Sequence, residues 1–289
     1  MCRLYGFFAT EPTKVECTLV HAQNALMVQS QSDSAGKSHA NGWGVATYEC
    51  GEPHIEKQAW AAFHGEHFRQ AAARIYSRQV LAHVRRATVG EPSALNTHPF
   101  ADAGWAFAHN GTVPNFEKLR PMLLDQIPTE RHQLIAGQTD SEHVFHLVRA
   151  RQLQHPELAA LECLREAVQW IVDQSCRIDP TVRIGLNIIL ADGNELVGTR
   201  LGRPLFFVER KGLHDCEICG FPHVHHDPRE SYRAVVLASE PISHERWREV
   251  PEGSIYRVGQ DCRIASEMLE IEKKGGRSAS VHDDQKDKT

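Results

Sequence analysis

Two strand-rich stretches separated by a helical one constrain this chain more than any other feature. Residues 2–9 (CRLYGFFA) and 43–48 (WGVATY) are short apolar or aromatic runs bounded by Gly, Thr and Pro, which read as strands. Gln79 to Val84 is a third, running out into the charged string His83-Val84-Arg85-Arg86, and Trp105 to His109 a fourth, closing on Asn110-Gly111, a dipeptide that favours tight turns. From Arg183 the same pattern returns as GLNIILAD, ELVGTRLGRPLFFVER, YRAVVLASE and SIYRVGQD. Between the two stretches lie the strongest helices, Asp140 to Arg151 and Pro156 to Cys176, the latter with Leu158, Leu161, Leu164, Val168 and Ile171 near one face. Shorter helices are expected over His21–Gln29 and His67–Tyr76. A sheet with an apolar face must cover it, so this order suggests two sheets packed face to face with helices outside.

Size and charge narrow the function classes. At 289 residues with no repeat and no linker, a single continuous domain over 2–274 is expected, followed by a polar tail at 275–289 that has almost nothing to bury and reads as disordered. The 32 Lys+Arg against 37 Asp+Glu give a net charge of −5, and no basic run, Lys273-Lys274 included, exceeds two residues, which argues against nucleic-acid binding. No run approaches the ~18 apolar residues of a membrane helix. The N-terminal stretch also lacks the basic and apolar regions of a signal peptide. A cytoplasmic protein without membrane partners is the expectation.

Eight cysteines are too few for a disulfide scaffold of this length. Cys17, Cys50, Cys163, Cys176 and Cys262 stand singly among mixed residues and read as small buried hydrophobes. Cys2 is different. Once Met1 is removed, it carries a thiol and a free α-amine on one framework, and the amine, with an ordinary pKa near ~8, can serve as the base the thiol needs.

The string HDCEICGFPHVHH (214–226) is the second cysteine feature, within a Cys/His-rich loop at about 212–230. Cys216, Cys219, His223 and His225 suit tetrahedral zinc, and the alternating His223 and His225 project to one side of an extended segment. A structural zinc is one reading. An exposed loop that happens to be rich in Cys and His, and a redox Cys-x-x-Cys, are the others.

MCRLYGFFA, NGWGVATY, HVRRATVG (83–90), NTHPF (96–100), AHNGTVPNF (108–116) and GQTDSEHVF (137–145), in that order, resemble the glutaminase domain of class II glutamine amidotransferases, members of the N-terminal-nucleophile hydrolases. The likeness runs through ASEPIS (238–243) and looks closest to the stand-alone branch, which has no synthase domain. It implies an α+β fold, a four-layer αββα sandwich of two mainly antiparallel sheets. It also implies Cys2 as nucleophile, the Asn110 amide and Gly111 N–H as oxyanion donors, Arg85 on the substrate α-carboxylate and Asp140 on its α-ammonium. Planar guanidinium suits bidentate capture of a carboxylate. His83, His98 and His109 lie within the motifs and are read as structurally satisfied rather than as bases. For Asp140 a helix N-cap is the competing reading, with Thr139 as an alternative cap.

The chain departs from the synthase-linked pattern where those enzymes show R-W-A-T-H-G: Arg86 and Val89 replace the Trp and the His. A larger leaving group than ammonia follows as an expectation. The function implied is cysteine-dependent hydrolysis of the γ-carboxamide of glutamine or a γ-glutamyl derivative through a thioester on Cys2, with no cofactor for catalysis. The partner is a small-molecule γ-glutamyl substrate, with room for a homo-oligomer or a synthase partner. The competing class is a zinc-stabilised, non-catalytic interaction protein or ammonia-delivering subunit on the same fold.

Overall fold

The computed structural model describes residues 2–213, 215–224 and 231–270. The expected disordered tail at 275–289, together with His214, His225 and His226, lies outside the described residues. The chain opens with β1 (Arg3–Lys14), a π-helical turn (Cys17–His21), α1 (Leu26–Gln31), β2 (Trp43–Glu49), β3 (Glu52–Gln58), α2 (His67–Arg74) and β4 (Tyr76–Val84). It continues through β5 (Phe100–Asp102), β6 (Trp105–Thr112), α3 (Phe116–Leu124), a 3-10 turn (Thr129–Leu134), α4 (Asp140–Gln154) and α5 (Ala160–Ile178). The last part is all strand: β7 (Gly185–Ala191), β8 (Leu196–Arg200), β9 (Phe206–Lys211), β10 (Arg233–Ala238), β11 (Arg248–Glu249), β12 (Ser254–Val258) and β13 (Ile264–Met268).

The strands form a seven-stranded sheet, ordered β11-β9-β10-β1-β4-β2-β3, and a six-stranded one, ordered β13-β12-β8-β7-β6-β5. The strand pairings are antiparallel. Alternation along each strand divides the apolar residues among three cores, because successive side chains point to opposite faces. On β1, Tyr5, Phe7 and Ala9 face the first helices, while Leu4 and Phe8 face the second sheet. On β7, Leu186, Ile188 and Leu190 meet α4 and α5, while Ile189 and Ala191 meet the first sheet. Three cores between four layers make the αββα sandwich.

Two local expectations give way to tertiary context. The helix expected over His21–Gln29 breaks between the π-helical turn and α1, where the Asn24 side chain leaves to donate to Pro241 O at 2.7 Å. Asn110-Gly111 is not a turn. Both residues extend β6, paired with Asn187 and Leu186 of β7, so cross-strand pairing overrides the local turn preference. Gly is required at 111 for a different reason, since a Cβ there would collide with the Gly185 carbonyl oxygen of the neighbouring strand.

Candidate active site

The site forms where strand ends of the first sheet converge over the end of β6. In β1's antiparallel pairings, Arg3 lies opposite Val84 of β4 and Tyr5 opposite Ala238 of β10. Cys2 therefore falls between the segment leaving β4, Arg85-Arg86, and the segment leaving β10, Ser239-Glu240. The Arg86 backbone brackets the thiol: its N–H donates to Cys2 Sγ at 3.4 Å, and the Sγ lies 3.5 Å from Arg86 O. Leu4 and Phe8 of β1 face the second sheet.

Crowding by surrounding protein pushes the Cys2 thiol up. The Arg86 backbone and the Arg85 charge oppose that rise, and Asp140 adds to it. The thiol is thus held neutral near pH 7 and needs a base to become a nucleophile. Arg85 and Asp140, distant in sequence, both lie close enough to act on it electrostatically.

Arg85 is buried, with only 2% of its surface exposed. Its guanidinium donates to Val89 O (2.8 Å), Gly90 O (3.0 Å) and Glu91 O (3.3 Å), which fixes the loop after the motif. A guanidinium has five N–H donors, so these bonds leave capacity for a carboxylate. Asn96, from NTHPF, continues the wall by donating to Glu91 O at 2.9 Å and accepting from Gln138 N at 2.7 Å. Glu142, from TDSE, then accepts from Ala136 N and Gly137 N. These motif residues hold loops 89–91 and 136–138 against each other.

Thr139, not Asp140, caps α4: its side chain accepts from Glu142 N. The Asp140 carboxylate instead accepts from Val113 N and Ser141 N, each at 2.8 Å, and sits buried beside the end of β6. Asn110 Nδ2 donates to Ser239 Oγ at 3.4 Å, and Ser239 Oγ accepts from Leu4 N at 2.9 Å. A single serine thus joins the Asn110 amide to the strand that follows Cys2. Asn110 Oδ1 is buried without a partner among the described residues. β5 pairs with β6 only at residues 105–107, so one side of β6 is uncovered by a strand at Asn110-Gly111.

Of His83, His98 and His109, it is His109 that is satisfied as expected, by Ser141 Oγ and Gly185 O, both at 2.9 Å. His83 and His98 lie against each other with ring centroids 4.2 Å apart and planes tilted by 42°, and their ring nitrogens lack well-formed hydrogen bonds among the described residues. Burial drives both far below the ordinary imidazole range, so they stay neutral.

Sequence reasoning missed the clamp on the N-terminal segment. Arg3 Nη1 donates to Cys2 O at 3.0 Å, and Nη2 lies 2.6 Å from both Asp33 Oδ2 and Glu240 Oε1. Asp33 also accepts from Ala35 N, Lys37 N and His39 Nε2. The long polar loop at 32–42 is folded around this carboxylate. Ser239 was legible only as part of ASEPIS, and Arg3 and Asp33 carried no local signal.

Away from this site, Cys216, Cys219 and His223 do come together, but their partner among the described residues is Cys17. From the sequence alone Cys17 reads as a core hydrophobe. His225 lies outside the described residues.

This arrangement of layers, with the N-terminal strand inside one of two facing sheets, is the fold of the N-terminal-nucleophile hydrolases. Solved structures share it: a glutamine aminotransferase class-II domain protein from Silicibacter pomeroyi superposes with TM-score 0.61 at 21% identity, covering 93% of this chain and 99% of that one. Glutamine PRPP amidotransferase from B. subtilis gives 0.59 at 18% identity, over 93% of this chain and 50% of that one.

Residues 1–279 match the sequence model of the glutamine amidotransferases class-II, and the chain belongs to that family. It is 28% identical to a probable glutamine amidotransferase, DUG3, of Saccharomyces cerevisiae, across 93% of this chain and 85% of that protein. It is 26% identical to the gamma-glutamyl-hercynylcysteine sulfoxide hydrolase of Mycobacterium tuberculosis, across 90% and 94% respectively.

Proposed function

We propose that this protein hydrolyses the γ-amide of a γ-glutamyl compound, with Cys2 as an N-terminal nucleophile. The observation that carries the reading is the Cys2 thiol resting on the Arg86 backbone within the electrostatic reach of both Arg85 and Asp140. One cation and one anion flanking a nucleophile fit the α-carboxylate and α-ammonium of a glutamyl group.

The α-amine of Cys2, freed by removal of Met1, takes the thiol proton, and the sulfur attacks the γ-carbonyl carbon. Negative charge builds on the carbonyl oxygen, where the Asn110 amide and the Gly111 N–H donate. The C–N bond then breaks, the leaving amine takes the proton from the ammonium of Cys2, and a γ-glutamyl thioester remains. Water adds to the thioester with the same amine as base, and glutamate leaves with the thiol restored. Arg86 and Val89 stand where synthase-linked relatives carry Trp and His, which favours a leaving group larger than ammonia. The hydrolase among its relatives, named for a γ-glutamyl substrate, supports the same substrate class.

Glutamate release from L-glutamine and a panel of γ-glutamyl amides and γ-glutamyl peptides tests this. At least one γ-glutamyl derivative should be cleaved faster than glutamine. Both Cys2→Ala and a form with one residue retained before Cys2 should be inactive. Equal glutamate release by the native protein and Cys2→Ala across the panel would overturn the assignment.

A further inference from the structure

At the far end of β1 from the nucleophile, four metal-ligating side chains from opposite ends of the chain converge. Cys17 lies in the π-helical turn just after β1; Cys216, Cys219 and His223 lie between β9 and β10. Their ligand atoms all fall within 4.8 Å of one another, and Cys219 Sγ is 3.3 Å from His223 Nε2. Tetrahedral zinc, with bonds of ~2.3 Å to sulfur and ~2.0–2.1 Å to nitrogen, places its ligand atoms about 3.5–3.8 Å apart. The cluster needs adjustments of only about 1 Å to meet that geometry.

The backbone around the cluster is shaped for thiolates. Ile218 N–H points at Cys216 Sγ at 3.4 Å, a bond that disperses charge on a sulfur anion. Gly220 N donates to Cys216 O at 2.8 Å, and Cys216 N to Phe221 O at 3.1 Å, closing the Cys-x-x-Cys turn on itself. Gly220 makes that closure possible at φ +74°, where a side chain would be strained. His223 is fixed from behind, since Lys14 N at the end of β1 donates to its carbonyl at 2.8 Å. A disulfide would use two of the three thiols and leave the third and the imidazole idle. A metal uses all four.

We propose that Cys17, Cys216, Cys219 and His223 form a structural zinc site that ties the loop between β9 and β10 to the end of β1. Four protein ligands close the coordination sphere, so no position is left for water or substrate. β1 spans 12 residues, and at about 3.3 Å per residue the site lies roughly 30–40 Å from Cys2, too far to take part in the chemistry there.

Metal analysis of the full-length protein, purified without chelator, should find zinc at about one per chain. Cys17→Ser should weaken zinc binding by more than the roughly 10–100-fold that loss of an outer partner costs. Cys50→Ser, which changes an exposed thiol elsewhere, should keep its zinc. Because Cys17 is buried and its replacement can impair folding, the native protein is also stripped and titrated with cobalt(II). Tetrahedral visible bands and a thiolate charge-transfer band saturating at one equivalent are expected. In a folded Cys17→Ser the charge-transfer intensity should fall by about one third, one thiolate of three. Absence of both zinc and the cobalt spectrum would overturn the proposal. So would a folded Cys17→Ser that binds zinc as tightly as the native protein, or a disulfide joining two of the three thiols in the isolated protein.

Discussion

Ser239 Oγ stands between Leu4 and Asn110, accepting from Leu4 N at 2.9 Å and lying 3.4 Å from Asn110 Nδ2. Through it, the strand that follows the proposed nucleophile and the strand that carries the proposed oxyanion donor are tied together across the two facing sheets. The consequence is that two adjacent substitutions should separate chemistry from support. Asn110→Ala should fold as the native protein does and lose about 10²–10³ in kcat. Ser239→Ala strands the buried Leu4 N–H at a cost of about 1–3 kcal/mol in stability and should lower kcat less than Asn110→Ala does. Urea melts run beside steady-state kinetics check the pair; an Asn110→Ala enzyme with unchanged kcat removes the amide from the mechanism.

Recognition should be directed at the glutamyl half of the substrate. If Arg85 takes the α-carboxylate and Asp140 the α-ammonium, each charge-assisted contact is worth about 1.5–3 kcal/mol, or roughly ten- to over a hundred-fold in kcat/KM. N-acetylation of the amine or amidation of the α-carboxylate should nearly abolish turnover, while changes to the γ-amine should be tolerated. Competitive kinetics on matched substrates read this directly. Equal turnover of an N-acetyl compound would exclude Asp140 from the role, and equal turnover of an α-amide would exclude Arg85.

Arg3 should act on position rather than on substrate. Its guanidinium holds the Cys2 carbonyl and forms ion pairs with both Asp33 and Glu240, and the Asp33 side chain is fully buried. Arg3→Met leaves a buried carboxylate unpaired, a change that typically costs about 3–5 kcal/mol. The double variant Arg3→Met/Asp33→Asn should recover part of that stability, yet kcat should stay low because the Cys2 carbonyl remains unheld. Full recovery of both would make Arg3 a structural residue only.

Acid should destabilise the fold through its buried histidines. Burial, helped by the Arg3 charge, pushes His39 down to about 4 from the ordinary 6.5, and burial takes His146 to about 4 as well. A histidine whose folded pKa is depressed binds its proton more readily when unfolded, so stability falls as pH drops from 6.5 toward 4. Burial would raise the Asp33 carboxyl, but the Lys37 N–H and Arg3 hold it below the usual range, so its contribution persists until lower pH. Urea midpoints at pH 7, 5.5 and 4.5 should decline steadily, and His146→Gln should flatten part of the slope. A flat profile across that window would contradict the neutral, buried state of both rings.

Much of the candidate site was legible in the residues. The ordered motifs after Cys2 name Arg85, Asn110, Gly111 and Asp140, and the strand and helix periodicities give the layers, because side-chain alternation and capping chemistry act between near neighbours. Even there the structure decides detail: of the two caps the sequence offers, Thr139 takes it, and Asn110-Gly111 continue a strand once β7 supplies its hydrogen bonds. What no stretch of sequence carried was which distant groups meet. Cys17 reads as an isolated hydrophobe until β1 runs its full length and delivers it to Cys216, Cys219 and His223. Arg3 is an ordinary strand residue until the loop at 32–42 folds Asp33 over it. Such contacts depend on strand register and on where loops return, quantities fixed by packing two sheets against each other rather than by any residue and its neighbours.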